Sequence, residues 1–234
     1  MLQKSTINLN FQFSKGALHR AVLRGDQATL KILLADQQLL KEVNCRDEKG
    51  HTALHSAATN GRENVVLLLL ADQRVEVNCS DRHGAKPLSL AADAGHDKVV
   101  QILLADPRVE VNCSDKHGYT PLHAAAAFGR NKRVVQLLLE DQRVDVNCSN
   151  CHGNRPLHLA AQFNQTKVLQ LLLADHRTEV NCKNKNGNTP LMHHVKTALV
   201  QKTSMKTLRL LTDHPSVDLN TTDKEGRGLM EMAR

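Results

Sequence analysis

The sequence predicts an all-α repeat solenoid, a stack of helix-turn-helix units joined by β-hairpin-like loops, and three observations predict it. Two markers recur in one register: Asn44, Asn78, Asn112, Asn147, Asn181 and Asn220, each followed six residues later by Gly50, Gly84, Gly118, Gly153, Gly187 and Gly226. Self-similarity at a period of about 20–50 residues marks units that bury their faces only against neighbours. Aromatic residues make up only 2% of the 234-residue chain, namely Tyr119, Phe11, Phe13, Phe128 and Phe163, with no Trp. A core without rings must be filled by Ala, Leu, Val and Ile, which favours thin, closely stacked helices over a thick sandwich or large barrel. Finally, Cys45, Cys79, Cys113, Cys148 and Cys182 each stand directly after a recurrent Asn, at intervals of 34, 34, 35 and 34 residues. A disulfide framework has no reason to keep such a period. Six cysteines without a secretory signal point instead to free thiols and a reducing compartment.

Within a unit the elements follow in order. In the clearest copy Thr120 is placed as an N-cap whose hydroxyl accepts from a free backbone N–H, and Pro121 takes the first helical position, where no donor is needed. Ala125 and Ala126 give this short opening helix a slim face, and Gly129 suits its stop. Val134, Val135, Leu137, Leu138 and Leu139 supply the apolar stripe of a second helix. Arg143 to Asn147 then alternates as a strand does, and Asn150 to Gly153 reads as a turn. On this register the repeats run approximately 14–47, 48–81, 82–115, 116–150, 151–184 and 185–223, with a partial unit at 224–234, in a single domain over 1–234. Ala17 to Ala21 opens the first repeat without the full signature, and Ile7-Asn8 falls in register with Val43-Asn44. Gly226 to Arg234 fits only the opening helix of a seventh unit, which suggests a polar cap or a truncated longer protein. The sixth unit is the longest, with 39 residues from Asn181 to Asn220, and its excess lies between Lys196 and Met205.

The run Gly118-Tyr119-Thr120-Pro121-Leu122-His123 closely resembles the helix-opening signature of the ankyrin repeat family, with further copies at Gly50 to His55, Gly153 to His158 and Gly187 to Met192. The resemblance extends over nearly the whole chain. It implies an ankyrin-type solenoid whose short opening helices and loop tips line a concave groove that binds other proteins. It also implies that the periodic Asn braces neighbouring loops, an ordinary role for Asn in turns. Ankyrin loops of the pattern Leu-x5-[Asp/Glu]-Val-Asn are, in addition, substrates of the asparaginyl hydroxylase that inhibits hypoxia-inducible factor. Asn78, Asn112, Asn147 and Asn181 all carry that spacing and are the expected hydroxylation sites.

Several tempting signs of chemistry have plainer explanations in the repeat. Cys148-Ser149-Asn150-Cys151-His152 has the C-x-x-C-H spacing of haem attachment, yet Cys148 is the periodic cysteine and His152 is matched by His83 and His117. No metal or cofactor is expected. His19, His55, His123 and His158 all hold the third position of the opening helix, where an imidazole can bond to cap and loop. Asp36, Asp72, Asp106, Asp141 and Asp175 recur one per repeat, so they do not form an acid and base pair. No P-loop, dinucleotide fingerprint, zincin helix or nucleophile elbow occurs, and no enzyme activity is expected. The longest apolar run, Val65 to Ala71, is far short of the ~18 residues of a membrane span. No membrane insertion is expected, and a cytoplasmic or nuclear monomer is the expectation, with a secreted bacterial effector left open.

What the consensus does not consume points to recognition by another protein, the scaffold or adaptor role. The expected contact residues are Arg82 and His83, Lys116, His117 and Tyr119, His152 and Asn154, and Lys185 at the loops, with Phe128 and Phe163 near the ends of opening helices. Tyr119, Phe128 and Phe163 are the only aromatics after the N-terminal segment, and rings in pockets commonly anchor interfaces. Charge offers an alternative. The net +7 is uneven, and from Glu179 to Asp213 no acidic residue intervenes while Lys183, Lys185, Lys196, Lys202, Lys206 and Arg209 do. Nucleic-acid or acidic-ligand binding through this basic C-terminal half is the second reading, opposed by the scarcity of stacking aromatics.

Overall fold

The computed structural model describes residues 16–35, 43–198 and 205–232, and its described residues form thirteen helices. They fall into two compact units, Met1–Glu110 and Val111–Arg234. The first contains α1 (Ala17–Arg24), α2 (Gln27–Ala35), α3 (Ala53–Thr59), α4 (Glu63–Ala71), α5 (Pro87–Ala94) and α6 (Asp97–Ala105). The second contains α7 (Pro121–Phe128), α8 (Lys132–Glu140), α9 (Pro156–Gln162), α10 (Thr166–Ala174), α11 (Pro190–Ala198), α12 (Met205–Thr212) and the short α13 (Leu229–Met232). Ile7-Asn8, Asp36 and Lys202 lie outside the described residues.

Each unit is built by translation. Opening helices pack on opening helices, α1 on α3 on α5 and α7 on α9 on α11, while second helices pack on second helices, α2 on α4 on α6 and α8 on α10 on α12. Small residues make the inner layer thin: Ala57, Ala58, Ala91 and Ala92 are buried in the first unit, and Ala125, Ala126, Ala160 and Ala161 in the second. The outer layer is aliphatic, with Val65, Val66 and Leu69 on α4 and Val168, Leu169 and Leu172 on α10 out of water. Burying each such Leu or Val contributes about 1.5–3 kcal/mol.

The helix punctuation follows the sequence. Thr120 Oγ1 accepts from the His123 N–H at 3.4 Å, Pro121 stands at the first helical position, and Gly129 closes α7 in the left-handed conformation at φ 55°. Where Thr is replaced by Arg155, the opening survives because the Arg155 N–H donates to His158 Nδ1 at 3.2 Å.

The loops depart from the strand-like alternation of their sequence. Val144 and Val146 are buried and Asp145 is exposed, as a strand would have them, yet no strand forms among the described residues, and one isolated bridge joins Thr222 to Gly228. The physical reason is the recurrent Asn. Asn147 Nδ2 donates to the Arg177 carbonyl at 2.7 Å and its Oδ1 accepts from the Glu179 N–H at 3.0 Å. A side-chain amide thus presents the donor and acceptor of a peptide unit, and takes the backbone pair that a neighbouring strand would otherwise satisfy. Asn44, Asn78, Asn112 and Asn181 repeat the clip on Arg74 and Glu76, Arg108 and Glu110, Arg143 and Asp145, and Ser216 and Asp218.

The loop tip is closed from within. Asp115 Oδ1 accepts from the His117 and Tyr119 N–H groups, both at 2.8 Å, and Asn150 and Asn184 do the same in the next two loops. Gly153 follows one such turn at φ 73°, and a Cβ there would stand 2.7 Å from the Lys185 nitrogen of the next tip. Backbone conformation and close approach both demand glycine.

Replacing Asn147 with Ala should cost about 1–2 kcal/mol, a few degrees of Tm, because it strands the Arg177 carbonyl and the Glu179 N–H together. Thermal melts of N147A beside a control at the exposed, uninvolved Ser149 measure it.

Candidate functional site

Two groups of histidines differ sharply in burial. His55, His123 and His158 have no exposed surface and pin one repeat to the next: their Nε2 atoms donate to the carbonyls of Ala85, Asn154 and Asn188 at 3.2, 2.9 and 3.0 Å. Their Nδ1 atoms accept from the N–H groups of Thr52, Thr120 and Arg155. A ring that accepts at Nδ1 and donates at Nε2 is neutral. Burial enforces that state, pushing His55 and His158 down to about 4 and His123 down from its ordinary 6.5. His19 makes the same kind of bond to the His51 carbonyl at 2.7 Å.

The other set is exposed at the tips. Arg82 and His83 stand out in the first unit; Lys116, His117, Cys151, His152 and Lys185 do so in the second. The tips are tied to one another by backbone bonds, Arg82 N–H to the Lys49 carbonyl at 3.1 Å, Cys151 N–H to His117 at 2.8 Å and Lys185 N–H to His152 at 3.0 Å. Within each unit, therefore, the side chains leave tips whose backbones are joined.

Phe128 and Phe163 occupy equivalent positions, the last residue of α7 and the cap of α9, on helices that pack together. They are 53% and 47% exposed, so packing between repeats does not account for them. The Arg130 guanidinium lies 5.5 Å from the Phe128 ring centre. Tyr119 is different: it is half-buried, with its ring edge-on to His123 at 5.8 Å.

Two sequence expectations need correction. Asn154 is 7% exposed, its Oδ1 accepting from Asn184 Nδ2 at 2.7 Å, because it lies on the inner side of the tip turn; it braces loops and is turned away from solvent. The basic C-terminal group is also less available than its sequence suggests. Lys196 pairs with Asp223 at 3.2 Å, and Lys183 donates to the Thr222 carbonyl at 2.8 Å. Among the described residues, Lys185, Lys206 and Arg209 remain exposed with no ion pair.

The C-x-x-C-H run is equally accounted for. Cys148 Sγ donates to Asp145 at 3.2 Å, and burial with that carboxylate pushes its thiol up to about 12, opposing the thiolate that a metal requires. The four expected hydroxylation sites are the clip residues themselves, each side chain held by two hydrogen bonds.

A clamp absent from the sequence reading explains the periodic aspartates. Asp72, Asp106, Asp141 and Asp175 each pair with an Arg two residues on, at 2.5 to 2.6 Å. Arg74, Arg108 and Arg177 then reach the preceding second helix, donating to the carbonyls of Leu34, Leu70 and Leu139 at 2.9, 2.8 and 2.7 Å. The Asp-x-Arg spacing was the available signal.

A model of ankyrin repeats, three copies long, matches residues 1–81, 18–115 and 88–184. The chain belongs to the ankyrin repeat family. Ankyrin repeats generally mediate protein–protein interaction and are typically non-enzymatic. Among solved structures the chain is similar to the ankyrin repeat domain of Bcl-3, described as a unique member of the IkappaB protein family, with 24% identity, 93% of each chain covered and a TM-score of 0.80. At that identity the likeness speaks for the ankyrin fold alone. A search of curated proteins finds no match. No helix among the described residues is long and apolar enough to cross a membrane.

The neutral histidines give this ankyrin stack an acid limb. The unfolded chain takes up protons as pH falls through about 6.5, whereas His55 and His158 in the fold do so only near 4, so stability present above 6.5 is lost between these values. Melts from pH 7 to 4 should show Tm falling across that window, with a shallower fall in H158Q, which lacks one titrating ring.

Proposed function

We propose that the chain is a scaffold or adaptor that captures a partner protein on its loop tips and on the ends of its opening helices. The exposure of Phe128 and Phe163 carries this reading. Leaving two rings half in water forgoes stabilisation that burial would give, and such rings anchor interfaces when a partner covers them. Lys116, His117, His152 and Lys185 supply polar contacts from tips whose backbone is already fixed, so little ordering entropy is lost on association. Arg82 and His83 present the equivalent tip in the first unit. Tyr119 contributes as a half-buried support for the rim.

Nucleic-acid binding through the basic half is the weaker reading, since two of its lysines are engaged within the fold. Hydroxylation at Asn78, Asn112, Asn147 or Asn181 is proposed as a property of opened loops, because each amide must first leave its two partners. Incubation with active hydroxylase should add one oxygen to these residues more readily as the temperature approaches Tm. Mass spectrometry that finds no addition at any temperature removes the idea.

For the interface, F128A/F163A should retain the wild-type circular dichroism and a Tm within about 2 °C, since both rings are largely in water. In affinity purification the same variant should lose a partner that wild type retains by at least about tenfold, the effect of removing anchors worth 1.4 kcal/mol or more. Undiminished recovery of every partner would sink the proposal.

A further inference from the structure

Among the described residues, the junction between α10 and α12 lacks the arginine clamp. The Asn clip identifies equivalent positions: Asn147 Nδ2 holds the Arg177 carbonyl and Asn181 Nδ2 holds the Ser216 carbonyl, each at 2.7 Å. Ser216 therefore stands where the other loops place Arg74, Arg108, Arg143 and Arg177, and His214 stands where they place Asp. Arg177 spans to the Leu139 carbonyl near the end of α8. Leu173 has the same place near the end of α10, and Ser216 is too short to reach across to it.

A groove opens where that arginine would lie. Residues of α10 from Thr166 to Ala174 and of α12 from Lys206 to Leu210, continued by Asp213, His214 and Pro215, line an open groove of about 740 Å³. Its lining includes Leu173 and Ala174 at the end of α10 and the exposed Asp213, whose Oδ1 accepts from Thr212 Oγ1 at 3.4 Å. The C-terminal carbonyls of a helix carry partial negative charge and favour a cation. Apolar walls from Leu173 and Leu210 suit the methylene stem of a long basic side chain.

We propose that this vacancy is a docking site for an arginine side chain of a partner protein. The guanidinium would donate to the Leu173 carbonyl and the Asp213 carboxylate, a carbonyl and an acid as Arg74, Arg108 and Arg177 have, with Asp213 standing one residue before the position from which the clamp takes its acid. The fork of five donors makes two such contacts at once, which a lysine ammonium does less well. Arg209 is exposed one turn before Asp213 and makes no ion pair with it, and Lys206 lies two turns away, about 10 Å along the helix. These cations disfavour a polybasic ligand and select an arginine that has an acidic neighbour. The site lies on the second helices, and its occupancy does not depend on the loop-tip reading.

Two-dimensional amide NMR with N-acetyl-arginine amide as the probe tests the proposal. Saturable shifts confined to the amides of residues 173–174 and 210–216 are expected. They should weaken by at least about tenfold with the matching lysine amide, and likewise in D213N, which keeps the fold. They should vanish in H214D/S216R, where the restored clamp fills the groove and holds Tm at or above the wild-type value. Absence of localised shifts, equal response to the lysine amide, or persistence in both D213N and H214D/S216R would overturn it. So would an acidic peptide without arginine that produces the same shifts through Lys206 and Arg209.

Discussion

A side-chain amide standing in for a peptide group sets the geometry of this molecule. Asn44, Asn78, Asn112, Asn147 and Asn181 each make two hydrogen bonds to the loop that follows, one to a carbonyl and one to an N–H two residues further on. Those two bonds fix both distance and direction, so a loop can be continued only by another loop of the same shape. Helices arriving at and leaving a loop inherit the same translation, which is why opening helices meet opening helices and second helices meet second helices. A close interval then restricts the inner layer to Ala. The scarcity of aromatic residues is in this sense a consequence of loop spacing, since a ring between α7 and α9 would force apart the bonds that Asn112 and Asn147 make at 2.7 to 3.0 Å.

The buried imidazoles complete this arrangement at the other end of each loop. His123 reads its own helix cap with Nδ1 and the next loop with Nε2, so a single residue joins the start of a helix to the position of its neighbour. It does so only while neutral, and burial keeps it neutral. The groups that look most like chemistry, periodic His, Cys and Asp, are thus consumed by the repeat. Function has to be sought among residues that break the period or that the period leaves in water.

That division explains what could be read from the sequence. Helix starts at Thr120 and Pro121, the stop at Gly129 and the structural use of His55, His123 and His158 were legible, because each depends on neighbours within a few positions. The alternation at Arg143 to Asn147 was legible as burial but misleading as secondary structure, since the Asn amide replaces the ladder it would otherwise enter. Asn154 departs from its expected place in solvent for a related reason. Two residues after exposed His152, the chain has already turned inward, and that turn is set by hydrogen bonds to the Asn150 side chain that spacing alone does not display. The exposure of Phe128 and Phe163 needed the structure, because a helix end faces core or solvent according to what packs beyond it.

The least legible feature is the one made by a missing residue. Aligning repeats on Asn and Gly finds the sixth unit in phase, because Asn181, Gly187 and Asn220 are all in place. The substitution that matters lies between those markers, where His214-Pro215-Ser216 replaces an acid and an arginine. Elsewhere the clamp closes the furrow between second helices by spending a guanidinium on a helix-end carbonyl. Its loss removes the filler and the donor to the helix-end carbonyl, leaving Asp213 and the end of α10 bordering open space. A repeat protein carries its own controls in this way. Where Arg74, Arg108 and Arg177 satisfy a helix-end carbonyl internally and Ser216 does not, the chemistry of the three indicates what the last would accept.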